Sequence, residues 1–347
     1  MPIPLTKRKE QLLVRLIEEY IRTAAPVSSS SLTRFMKVSS ATIRSELKDL
    51  EELGFLRRPH TASGCGPTSQ AYRFYVNMLL SKVTVDIDEV RILVATFRML
   101  GNEIEKLITR SLDELTASSG YLAFITLPKA PPFVVRSFNL IEVDFNQLMI
   151  VVVTDLGVTQ SPIIRTEVPV RKLMLGHLNE RLTNLLRGRN LASLRTEEIH
   201  RALEDFSVLP VSVQTRLEKF LCEIAPAESS VIFSDAFKLL TQPEFYAVER
   251  FRQLIDSVTD EELFLETLDE RKEVDLGAII GEESGQDGLI EASILFSDYQ
   301  IGGEASGRVG VVGPTRLYYS RTLPLVLHVA KAMSQVIDEW RRGRDDD

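Results

Sequence analysis

The chain has 347 residues, of which 44% are hydrophobic and 26% charged, and its formal net charge is −8. That balance describes a soluble globular protein with room for two or three domains. No stretch approaches the roughly 20 apolar residues of a membrane span, and no signal-peptide pattern is visible at the N-terminus. Two distant cysteines, Cys65 and Cys222, supply neither a disulfide framework nor a metal-ligand spacing, so the expectation is a cytoplasmic protein with reduced thiols.

Residues 5–23 predict a helix with Leu12, Leu13, Leu16, Ile17 and Tyr20 inward. Pro26-Val27 breaks the chain. Residues 28–36 predict a short second helix capped by Ser28 or Ser29, with Leu32 and Phe35 inward. Val38-Ser39 then turns into a third helix over 39–54, capped by Ser39 or Ser40 and ended by Gly54. Ile43, Leu47, Leu50 and Leu53 share its buried face, while Thr42, Arg44, Ser45 and Lys48 lie elsewhere, near its start. Small polar residues and cations at a helix N-terminus suit entry into a DNA major groove. Residues 55–58 predict a strand, residues 59–67 a Gly- and Pro-rich wing, and Thr68 a cap for a helix through Tyr72, Phe74, Tyr75 and Leu79. The ordered set is a winged helix-turn-helix. Residues 1–75 hold 12 Lys+Arg and 7 Asp+Glu, a net +5, which leaves −13 on the remainder. A basic head on an acidic body fits a phosphate-binding footprint confined to the head.

Beyond the head, residues 86–115 predict one long helix with Val90, Leu93, Val94, Phe97 and Leu100 inward. Strand patterns follow at 121–127, 133–144, 147–154 and 158–168, with Asp144-Phe145-Asn146-Gln147 as a hairpin turn. A helix over 170–187 comes next. Strand patterns return at 274–280, 289–296 and 308–312, and a helix closes the chain at 323–341. Strands on both sides of a helical middle predict one α+β domain interrupted by an insertion, placed at 200–270.

The sequence offers no catalytic, cofactor or metal constellation. His60, His177, His200 and His328 are scattered. The run 302–307 is Gly-rich, but no Gly-Lys-Ser/Thr follows, so it reads as a hairpin turn. The adjacent pairs Glu261-Glu262 and Glu282-Glu283 read as charged surface. An enzyme with a vestigial head is therefore disfavoured. A regulator whose body senses a metabolite is the main alternative.

The run 39–56, followed by Pro59-His60-Thr61, Pro67-Thr68 and Tyr72-Arg73-Phe74-Tyr75-Val76, resembles the HrcA family of heat-shock repressors. Thr154-Asp155-Leu156-Gly157-Val158, Gln242-Pro243-Glu244-Phe245, Ile280-Gly281-Glu282-Glu283 and Gly310-Val311-Val312-Gly313-Pro314-Thr315-Arg316 extend the likeness over nearly the whole chain. The resemblance implies a homodimeric repressor of chaperone operons that binds the inverted-repeat operator CIRCE and depends on the chaperonin GroEL. It also implies an organisation: a winged helix at 1–80, connecting helices at 81–119, a GAF-like domain in two parts at 120–199 and 271–343, and an inserted dimerisation domain at 200–270. Thr42, Arg44, Ser45 and Lys48 are expected at bases or nearby phosphates. Ser39, Ser40, Arg57, Arg58 and His60 are expected to position the DNA backbone.

One stretch departs from the family. The usual wing runs Ser-Ala-Gly-Arg-Ile-Pro-Thr and then Asp-Lys-Gly. Here it is Ala62-Ser63-Gly64-Cys65-Gly66-Pro67-Thr68 and then Ser69-Gln70-Ala71. The lost Arg and a mobile Gly66 predict a wing that adds little to DNA affinity, and predict that Cys65→Arg tightens it.

Overall fold

The computed structural model describes residues 5–36, 38–58, 64–100, 103–127, 134–154, 157–158, 163–166, 172–189, 211–224, 230–270 and 274–343. The head begins with α1 (Lys7–Thr23), capped by Thr6, whose hydroxyl accepts from Lys9 N. Leu12, Leu13, Leu16, Ile17 and Ile21 recur at helical spacing and are buried. α2 (Ser29–Leu32) is a single turn capped by Ser28, shorter than the pattern at 28–36 predicts. Leu32 is buried as expected, but Phe35 lies beyond the helix end and is 45% exposed, between the guanidinium groups of Arg15 and Arg34. α3 (Ser40–Glu52) follows, then a two-strand ladder of β1 (Leu56–Arg57) and β2 (Gly66–Pro67), then α4 (Ser69–Leu80), capped by Thr68.

The predicted long helix is two: α5 (Ile87–Arg98) and α6 (Ile104–Ser119). The sequence between them holds Gly101 and Asn102, both weak helix formers. After α6 come β3 (Leu122–Leu127), β4 (Val135–Asp144), β5 (Gln147–Thr154), β6 (Gly157–Val158) and β7 (Ile163–Arg165). α7 (Lys172–Leu186), α8 (Val211–Ile224), β8 (Ser230–Phe233), α9 (Val248–Thr259) and α10 (Glu261–Asp269) follow. The chain closes with β9 (Leu276–Ile280), β10 (Ala292–Ile301), β11 (Glu304–Pro314) and α11 (Tyr319–Gly343). The β10–β11 turn carries Gly302 and Gly303 at positive φ, as a hairpin there requires.

The body is built on a five-stranded antiparallel sheet in the order β8-β3-β11-β10-β9. Strand alternation gives it two buried faces. Ala123, Ile125, Leu295 and Val311 join one core with residues of α6 and α11, and that core runs without a break into the head through Tyr72, Tyr75 and Leu12. Phe124, Ile279, Ile294 and Phe296 join a second core with Leu254, Val258, Phe264 and Leu268 of α9 and α10. The helices at 81–119 are thus more than connectors. α5 packs on α11, where His328 Nε2 accepts from Asp86 N at 2.9 Å and Nδ1 meets Glu89 Oε2 at 2.8 Å.

β4 to β7 do not join that sheet. They form a four-stranded sheet with a core of their own, in which Phe138, Leu140, Ile150 and Val152 meet Leu178, Leu182 and Leu186 of α7 and Leu217 of α8. Asn179 Oδ1 accepts from Leu140 N at 2.7 Å, and Thr183 Oγ1 donates to Phe138 O at 2.8 Å, so α7 covers the open edge of β4. β8, α9 and α10, expected inside the insertion, instead pack with the five-stranded sheet. Of the 200–270 stretch, the described residues 211–224 pack with the four-stranded sheet and 230–270 with the five-stranded one. Alternation marks a strand but does not say which sheet completes it.

Candidate nucleic-acid interface

α3 owes its placement to both of its faces. Ser39 caps it by accepting from Thr42 N at 3.1 Å, and Ile43, Leu47 and Leu50 are buried. A further buried residue, Glu46, was not expected. It bonds to Arg8 of α1, and Lys9 meets Asp49 at 2.8 Å, so two cations of α1 hold α3 in place. Arg44, Ser45 and Lys48 are exposed on the opposite side, while Thr42 and Ser40 are half-buried. Arg44 Nε donates to Ser29 Oγ at 3.4 Å, and Lys48 Nζ lies 3.5 Å from Glu52. Among the described residues, neither Arg44 nor Arg57 meets a carboxylate.

Arg57 is exposed on β1, opposite Gly66. Arg58 is also exposed, but its Nε donates to Glu51 Oε2 at 2.8 Å, so it would have to leave that carboxylate to reach DNA. Ser39 spends its hydroxyl on the cap and on Thr42 Oγ1, 2.9 Å away. His60 lies outside the described residues. Three hydroxyls that sequence reasoning passed over, those of Ser28, Ser29 and Ser30, line an open cleft of about 330 Å³ together with Arg44, Arg58 and Cys65. Ser28 or Ser29 was read only as the cap of α2, although the hydroxyl density of the run was a usable signal.

The wing differs from its expected form. Cys65 is 3% exposed in the core of the head, and its backbone pairs with Val27 through bonds of 2.8 and 3.0 Å. Burial pushes its thiol up from the ordinary range, which keeps it neutral and poorly nucleophilic. Gly66 is not loose. It sits in β2, and a Cβ there would meet the Tyr20 ring at 3.1 Å. Cys65→Arg would therefore place a charge at a buried position, which costs stability instead of adding a contact to DNA. Gly64 is tighter still, since its Cβ would lie 2.7 Å from the Pro26 carbonyl carbon and 2.9 Å from Val27 O. Gly64→Ala is expected to lower the stability of the head by about 1–3 kcal/mol, by the usual cost of overpacking. Denaturant melts followed by head-specific proteolysis check it; an unchanged midpoint would mean that the wing yields freely.

Among the described residues, no group of three or more His, Cys, Asp or Glu could hold a metal ion, and no helix is long and apolar enough to cross a membrane.

Residues 4–79 match the family described as "Winged helix-turn-helix transcription repressor, HrcA DNA-binding", and residues 105–323 match "HrcA protein C terminal domain". A "Heat-inducible transcription repressor HrcA" of Desulforamulus reducens is 27% identical over 97% of this chain and 99% of its own length. One of Symbiobacterium thermophilum is 29% identical over 95% of this chain and 98% of its own length. A solved structure titled "Crystal structure of a hypothetical protein at 2.2 A resolution" has the same fold. Its TM-score is 0.66 at 22% identity, over 97% of this chain and 98% of that one. With both modules matched in order on a winged head and an α+β body, the chain belongs to the HrcA family of winged-helix transcription repressors.

Proposed function

We propose that this chain is a cytoplasmic, heat-inducible repressor that binds the CIRCE inverted repeat as a homodimer, and that its active fraction depends on GroEL. The observation that carries the reading is the exposed N-terminal side of α3, where Arg44, Ser45 and Lys48 stand free of the core on a basic winged head. Arg44 suits a base edge or a phosphate, Lys48 a phosphate, and Arg57 the flanking backbone. The body reads as GAF-like from its antiparallel sheet covered on both faces. The separate sheet at 135–165 reads as the dimerisation insert. Its outer face carries Ile141, Met149 and Ile163 side by side, with Ile141 44% and Ile163 54% exposed.

Binding curves at two salt concentrations test the head. Arg44→Ala is expected to cost about 1–3 kcal/mol and to relax preference at one base position. Lys48→Ala is expected to weaken all DNA alike and to flatten the salt slope by about one unit. Unchanged binding by both would remove α3 from the interface.

The metabolite-sensing alternative has one observation in its favour. A cleft of about 430 Å³ between α5, α6 and α11 is lined by Ile92, Leu325, Glu114 and Arg321. His328 at its base already has both ring nitrogens engaged within the fold. A thermal-shift screen separates the readings, since a true ligand raises the melting temperature.

A further inference from the structure

Two of the runs that carry the family resemblance meet in space. Arg73 of α4 and Glu283, just after β9, are 210 residues apart. Arg73 Nε donates to Glu283 Oε1 at 2.6 Å, and its Nη2 donates both to Glu283 Oε2 and to Ala278 O, the latter at 2.7 Å. Glu283 Oε2 in turn accepts from Ile280 N at 3.1 Å. Glu283 is therefore not charged surface: only 22% of its side chain and 23% of that of Arg73 are exposed.

Two further contacts lie on the same side of α4. The Tyr72 and Tyr75 rings stand 5.9 and 6.4 Å from that of Tyr319, whose hydroxyl donates to Thr315 O at 2.6 Å. Gly281 has φ +53°, and a Cβ there would lie 2.9 Å from Ser69 Oγ at the start of α4. The last helix of the head is thus held to the body at residues 69, 72, 73 and 75, along about one and a half turns.

We propose that the Arg73–Glu283 pair is a positioning joint that fixes the angle of the winged head on the body, and so sets the half-site spacing at which two heads read an inverted repeat. The inference rests on the dimeric-operator reading above. A dimer reads two half-sites only when its two recognition helices are held a fixed distance apart. Slack at the joint would move the helix tips while leaving each head intact. A planar, two-pronged guanidinium–carboxylate pair suits this role because it fixes orientation as well as distance.

The test measures binding of the full-length protein to a single half-site, to the native inverted repeat, and to repeats with the spacer lengthened or shortened by one or two base pairs. Glu283→Ala is expected to keep half-site affinity within about twofold. It should lose about tenfold on the native repeat, by forfeiting part of the avidity, and flatten the preference among spacers. The conservative variant Glu283→Gln, which keeps an oxygen to accept from Arg73, is expected to retain more of that preference than Glu283→Ala. Equal losses on half-site and full repeat with the spacer preference intact would mean that the pair is only structural, and would overturn the proposal. If the wild-type protein itself fails to prefer an inverted repeat over a half-site, the dimeric reading fails instead. The joint is then judged on DNA-free protein by small-angle scattering, where Glu283→Ala must broaden the distance distribution, and an unchanged distribution overturns it.

Discussion

Arg316→Ala is expected to lower the stability of the body by about 1–3 kcal/mol, the usual cost of leaving hydrogen-bonded partners unsatisfied at a part-buried site. Arg316 is 7% exposed. Its Nε donates to Glu244 Oε1 at 2.5 Å, and Nη2 donates to Glu244 Oε2 at 3.0 Å and to Gln242 Oε1 at 3.1 Å. The Gly-Pro-Thr-Arg run is therefore tied directly to Gln242-Pro243-Glu244-Phe245, and the tie anchors the turns beside the five-stranded sheet to the start of α11. Removing Arg316 leaves a carboxylate at this site without its cation and empties the space of a long side chain. Removing both partners should cost less than the two single losses together, because the stranded charge goes too. Denaturant unfolding of Arg316→Ala, Glu244→Ala and the double variant gives the coupling. A single-variant loss below about 0.5 kcal/mol, the ordinary range for a surface change, would show that the pair contributes little.

The head was legible because its signals are local. Helical spacing in α1 and α3, hydroxyl caps at Ser28, Ser39 and Thr68, and a Gly-Pro wing all act within a few residues. The errors in the head arose where the third dimension decides. Phe35 continues the apolar pattern, yet α2 stops at Leu32 and leaves it at the surface. Cys65 was read as a wing position open to an arginine but faces the core, because its backbone bonds to Val27 turn that stretch inward. Glu46 breaks the polar face of α3 only because Arg8, 38 residues earlier, comes to meet it.

The body was legible in its elements and not in their assembly. β4 and β5 alternate as any half-buried strands do, so their pattern is the same in either sheet. β8 pairs with β3 across an interruption of about a hundred residues, a partner that no local pattern names. The pairs Arg73–Glu283 and Arg316–Glu244 did leave a trace. All four residues lie within the runs that carry the family resemblance, and a charge in such a run that the DNA surface does not use invites a search for its opposite.

That assembly leads to the largest functional effect expected of any variant here. The inner face of the four-stranded sheet is filled by α7 and α8, and burial alternates along β5, with Leu148, Ile150 and Val152 inward. The outer face is apolar too: Ile141 lies opposite Met149, and Met149 opposite Ile163. Val143 and Phe145 extend this row to the hairpin tip, 49% and 68% exposed. An apolar row across three strands that no other described residue covers is costly in water, and a two-fold copy would cover it with the same row. Ile141→Asp combined with Ile163→Asp should leave the inner core untouched, since both side chains point away from it. If the parent sediments as the proposed dimer, the double variant is expected to sediment as a monomer at the same concentration, with its melting profile for the head unchanged. Its affinity for the inverted repeat should then fall by about 100-fold or more, to the level of one head on one half-site, because the second head is no longer delivered at high effective concentration. Half-site binding itself should not change. A variant that stays dimeric, or one that loses half-site and full-site binding together, would place the contact between copies elsewhere on the body.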